Sequence, residues 1–201
     1  MSYMVVAPSI VFYVLGSGGT KEQYGIILSA FSFASFSFKP VFGYWSDKSG
    51  GKFRSPYLVS IAIASSGGLL YFLGSAFHGP TAIGIILAGR LLGGVGAANQ
   101  TLGFTYIAQV IPRKHLTKAS ALLSMTRVMG MAVAPGLNLF MTDINGTLFS
   151  MEVTPLNAVG LFLFFSNALS FVIIYLLLKE PPASTKPPSS VSAANVSLSC
   201  L

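Results

Sequence analysis

The chain has 201 residues, of which 53% are hydrophobic and only 8% are charged. A soluble domain carries roughly 25% charged residues, so this composition excludes a water-covered globule and points to an integral membrane protein. The formal net charge of +7 comes from basic residues placed between hydrophobic runs. That placement is explained by membrane topology rather than by nucleic-acid binding.

The single cysteine, Cys200, stands next to the C-terminus. It offers neither a disulfide framework nor metal-ligand spacing, and its position does not fit a prenylation signal. His78 and His115 are far apart and fall at loop positions. No nucleophile–base pair, metal cluster or phosphate loop is present, so neither an enzyme nor a cofactor is expected.

In chain order, residues 1–15 form an uncharged apolar run. It is shorter than the roughly 20 residues a spanning helix needs. No Lys or Arg precedes it, which argues against a signal peptide, so it reads as a truncated first span. Residues 24–44 form the second. Within it Phe and Ser alternate over 31–38 with the period of a strand, but a lone strand cannot satisfy its backbone in lipid, so a helix is expected. Lys39 is placed to snorkel toward the surface, and Pro40 to kink the last turns.

The third span covers 56–77 without a charge. The fourth, 80–111, is rich in small residues and has Arg90 as its only charge. The fifth covers 117–142 and contains Arg127; the sixth covers 155–178 without a charge. Proline opens three of these runs, where a missing N–H costs nothing. Residues 181–201 are rich in Pro, Ser and Ala and read as a disordered tail. The expectation is an all-α polytopic bundle of six transmembrane helices over residues 1–180.

Loop charges set the orientation. Lys48, Lys52 and Arg54 lie between the second and third spans, and Arg113, Lys114 and Lys118 at the fourth-to-fifth junction; Lys179 follows the sixth. The intervening loops carry Lys21 against Glu22, then His78, then Asp143 and Glu152. This alternation puts the basic loops, the N-terminus and the tail on the cytosolic side. Asn145-Gly-Thr then lies on the opposite side as a candidate glycan acceptor, whereas Asn99-Gln-Thr and Asn195-Val-Ser should stay unmodified.

Three short motifs occur in order. Gly43-x-x-x-Asp47-Lys48-x-Gly50-x-Lys52, followed by Arg54, resembles the signature between helices 2 and 3 of the major facilitator superfamily. Gly51 takes one of its basic positions. Arg90, Gly94 and Gly96 resemble the superfamily's helix 4 pattern. Gly130, Ala134 and Pro135 match its helix 5 pattern in part, with alanine at the second glycine and Asn138 at the last. The texture of residues 89–135 resembles lysosomal and vacuolar members: the ceroid-lipofuscinosis-type lysosomal protein and the SPX-type vacuolar phosphate transporters.

The resemblance implies a small-solute secondary transporter working by alternating access, with Asp47 latching a cytosolic gate. Lys48, Arg54 and Arg113 are nearby candidate partners, and Gly43 lets two helices approach closely. Alternatively, those charges only set topology. Such transporters have two six-helix halves, and this chain corresponds to one. It therefore reads as a fragment, as a half that pairs with a second half or a second copy, or as a non-transporting membrane interaction protein.

Charged and polar residues inside spans mark pathways or buried pairs. Arg90 and Arg127 are the first candidates. Ser120, Ser124, Arg127 and Asn138 share a side of the fifth span. With Asn99 on the fourth, they are candidate pathway residues, and the two arginines favour an anionic solute. Gly89, Gly93 and Gly96 support close helix contact.

Overall fold

The computed structural model describes residues 2–49, 51–141, 146–148, 151–153, 155–178 and 180. The helices in chain order are α1 (Ser2–Gly16), α2 (Lys21–Lys48), α3 (Arg54–Leu73), α4 (Pro80–Ala97), α5 (Gln100–Val110), α6 (Arg113–Met141) and α7 (Pro155–Leu177). A single 3-10 turn, Gly74–Ala76, extends α3. The Phe/Ser alternation of 31–38 is helical, as lipid requires. The all-α membrane bundle stands, with one small addition. Gly146–Leu148 (β1) and Met151–Val153 (β2) pair antiparallel, Thr147 opposite Glu152, in the connection from α6 to α7.

Local chemistry sets the helix ends. Thr20 caps α2 with a full capping box. Its hydroxyl accepts the Gln23 N–H at 3.3 Å, and its own N–H donates to Gln23 Oε1 at 2.9 Å. α2 then runs through Pro40 to Lys48, so Gly43, Asp47 and Lys48 lie in its last turns rather than in a loop. The turn to α3 occupies only residues 49–53, where Gly51 adopts φ +80°, a conformation costly for any residue with a Cβ. Pro80 opens α4 after Gly79 at φ +69°.

The expected single helix over 80–111 is broken. Ala98 N–H donates to Val95 O at 3.2 Å, and Asn99 N–H to Gly96 O at 3.2 Å. These tighter i→i+3 bonds separate α4 from α5.

α3 is the hub, packed on α4 along one side and α7 along the other. Lipid removes the hydrophobic drive between helices, so close backbone contact takes its place. A Cβ at Gly67 would lie 2.6 Å from Gly93 N, and one at Gly160 would lie 2.8 Å from Phe72 N. Gly94 meets the Phe31 carbonyl of α2, and Gly96 meets Ser60 and Ala64 of α3. Val6, Ile10 and Val14 of α1 pack with Ile27, Tyr71, Ile86 and Val159 in the largest apolar cluster.

Each end of the bundle is tied. At one end Gly79 N–H donates to Ser17 O at 3.1 Å, and Asn157 Nδ2 donates to Ser75 Oγ at 2.8 Å. At the other, Glu180 accepts two backbone N–H groups, from Phe53 at 2.9 Å and from Arg54 at 3.1 Å. Large apolar side chains face outward, among them Phe33, Leu122, Leu176 and Leu177, as a lipid-facing surface requires.

Among the described residues four helical stretches are long and apolar enough to cross a membrane: Lys21–Lys48, Arg54–Ala76, Pro80–Val110 and Asn157–Leu177. α1, with 15 residues, is shorter than that. α6, with 29, is long enough but is diluted by Arg113, Lys114, Lys118 and Arg127.

Candidate functional site: a cavity walled by α2, α6 and the α4–α5 break

A cavity of about 600 Å³ opens in the bundle. α4 and α5 pack on α2, and α5 also packs on α6, while α2 and α6 barely touch each other. The gap between α2 and α6 is therefore floored by the α4–α5 break. Arg127, Thr126, Leu123 and Met131 line it from α6; Asn99, Gln100, Gly103 and Phe104 from the break and α5; Ser32, Ser35, Phe36 and Lys39 from α2. Tyr57 and Asn167 complete the wall from α3 and α7. Every contributing helix does so from mid-length toward the end that carries residues 49–53.

Of the sequence-derived pathway candidates, the structure brings Arg127 and Asn99 together on this cavity. Ser120 and Ser124 share their helix but are not in the lining. Asn138 lies outside the described side chains, as do Ala134 and Pro135 of the helix 5 motif. Gly130 is half-buried on α6.

Arg90 does not line this cavity. It is 3% exposed, its guanidinium lies 4.5 Å over the Phe31 ring, and it borders a small neighbouring cleft with Tyr71, Gly89 and Asn167. Phe31, Ala64, Gly93 and Asn167 border both spaces, so the Phe31 ring stands between Arg90 and the larger cavity. Sequence reasoning missed Lys39, Ser32, Ser35, Gln100, Thr126 and Asn167. Ser32 and Ser35, one turn apart, carried a signal that the neighbouring phenylalanines obscured.

At the bundle end, Asp47, Lys48 and Lys52 are exposed, and Gly50 and Asn145 lie outside the described residues. Among the described residues nothing hydrogen-bonds or ion-pairs with the Asp47 carboxylate. A Cβ at Gly43 would meet nothing within 4 Å. Among the described residues, no other helix approaches α2 closely at Gly43. Arg54 turns away from Asp47. Its guanidinium lies 4.6 Å from the Tyr175 ring centroid and donates to the Tyr175 carbonyl. α3 has no side-chain cap from its own N-terminal residues, and the Glu180 carboxylate takes that role from the far end of α7.

A helical bundle with long apolar helices and a lipid-facing apolar surface is an integral membrane protein. The family model for the Major Facilitator Superfamily matches residues 1–200, and the chain belongs to that family.

Among curated relatives, the chain is 24% identical to the class E tetracycline resistance protein of Escherichia coli over 88% of this chain and 39% of the relative. It is 29% identical to the uncharacterised MFS-type transporter YfkF of Bacillus subtilis over 90% of this chain and 43% of that one. It is 25% identical to the class H tetracycline resistance protein of Pasteurella multocida over 71% of this chain and 34% of the relative. The chain thus spans about two fifths of the first two relatives and about a third of the last. No solved structure matches it.

Proposed function

We propose that this chain forms the six-helix N-terminal half of a transporter, over residues 1–180, and moves a small solute across a membrane by alternating access. The cavity at Arg127 is its share of the pathway. The single observation that carries this reading is that cavity: a space of about 600 Å³ with a cation and amides in its wall, inside a bundle of this family. The gap between α2 and α6 is where a second six-helix half or a second copy would complete the wall. Arg127 gives the space a positive field, which favours an anionic solute.

The basic loops put residues 49–53, the α5–α6 junction and the end of α7 on the cytosolic side, by the positive-inside rule. The N-terminus belongs on that side if all six helices cross. Asp47 is reserved for a partner beyond this chain, consistent with its exposed carboxylate and the open space beside Gly43. Residence in a lysosomal, vacuolar or other endomembrane is proposed from the resemblance of residues 89–135.

Reconstitution of the full-length protein in proteoliposomes, with uptake measured for candidate solutes, tests the transport reading. Saturable uptake above empty liposomes is expected. Its absence for every solute class would reject transport in favour of a membrane interaction role.

A further inference from the structure

Arg127 shares the cavity with a second cation. Lys39 lines the space from α2, and no acidic residue lines it among the described residues. Lys39 belongs to α2 and Arg127 to α6, so the two charges come from different helices of the wall.

The rest of the wall is mixed. Phe36, Tyr57 and Phe104 present aromatic surface, while Ser35, Asn99 and Gln100 present hydrogen-bonding groups. We propose that the cavity selects an organic anion. One carboxylate or sulfonate group is held jointly by Lys39 and Arg127, and an aromatic body lies against Phe36 and Phe104. This inference rests on the transport reading of the same cavity and adds the class of solute.

Three physical points support it. Two cations without a counter-carboxylate, in a space bordered by lipid and apolar side chains, attract an anion more strongly than they would in water. A guanidinium offers a planar fork that fits a carboxylate or sulfonate through two parallel hydrogen bonds, and an ammonium adds a compact point charge. The volume falls within the roughly 300–1,000 Å³ of sites for drug-sized ligands, so an inorganic ion would leave the aromatic walls unused. A cationic solute would meet two like charges.

The test is equilibrium binding to the full chain in lipid nanodiscs, with empty nanodiscs as blank. Radiolabelled naphthalene-1-sulfonate is the probe, and naphthalene-1-sulfonamide, 1-naphthylmethylammonium and inorganic sulfate are the competitors. Saturable binding of the sulfonate is expected, with each competitor weaker by about tenfold or more. Lys39→Gln and Arg127→Gln should each weaken the sulfonate by about tenfold, and Arg127→Lys by less. Phe36→Leu should weaken naphthalene-1-sulfonate but not methanesulfonate.

Equal or tighter binding of the ammonium compound or of sulfate overturns the inference, as does unchanged affinity in both Gln variants. The competitor series on the unmodified chain decides the matter even if a variant does not fold. Sulfonate binding without any uptake in proteoliposomes would overturn the transport reading alone. Uptake of cations or neutral solutes in place of anions would overturn the solute class alone.

Discussion

At the scale of single residues, the glycines of this chain divide by what a side chain would meet. A Cβ at Gly67 would lie 2.6 Å from Gly93 N and 2.8 Å from Gly89 O, both backbone atoms that cannot swing aside. Gly67→Ala should therefore force α3 and α4 apart and destabilise the bundle by about 1–3 kcal/mol. Gly25 and Gly84 meet nothing within 4 Å. Alanine there should be neutral or stabilise by up to about 1 kcal/mol, through helix propensity. Thermal unfolding of the three variants in one detergent checks the opposite signs. Arg90 and Arg127 divide in the same way. The sequence marks both as costly cations in lipid, but not that Phe31 would cover one while the cavity takes the other. Lys39 also lines the cavity, a place that the sequence does not show, since a lysine near a helix end is explained well enough by snorkelling.

At the scale of elements, the helices were legible because apolar runs of about 20 residues have one stable form in lipid. Their ends were less so. α2 continues past Pro40 and Gly43 through Asp47 and Lys48, and the turn that follows holds Gly51 at φ +80°. α6 starts at Arg113, directly after Pro112. The break between α4 and α5 directly follows Gly93, Gly94 and Gly96, glycines read from the sequence only as close-contact residues, and Gly96 lies against Ser60 and Ala64 of α3. The cap on α3 was hidden because the carboxylate that accepts the Phe53 N–H lies 127 residues away at Glu180. Glu180→Ala should expose the first amides of α3 and cost about 1 kcal/mol, as loss of a helix cap does. Hydrogen exchange should then accelerate at Phe53 and Arg54, with the α4 amides unchanged. Unaltered exchange at those two positions would show that the carboxylate does not cap α3.

At the scale of the molecule, the fold gathers Lys48, Lys52, Arg54, Arg113 and Lys114 at one end of the bundle and the residues around His78 at the other. The proposed sidedness rests on that segregation. In a Cys200→Ser background, Lys52→Cys and His78→Cys should react with an impermeant maleimide from opposite faces of sealed vesicles; labelling from the same face would contradict the topology. The family was legible from three motifs in order, whereas the cavity was not, since its wall draws on α2, α3, α4, α5, α6 and α7 at once. That cavity is the centre of the account, and solute uptake by the full-length protein in proteoliposomes tests it most directly. The account predicts saturable uptake of an aromatic sulfonate or carboxylate, reduced by about tenfold or more in Arg127→Gln, while the variant still elutes as a folded protein. Uptake indistinguishable between the two proteins would contradict it.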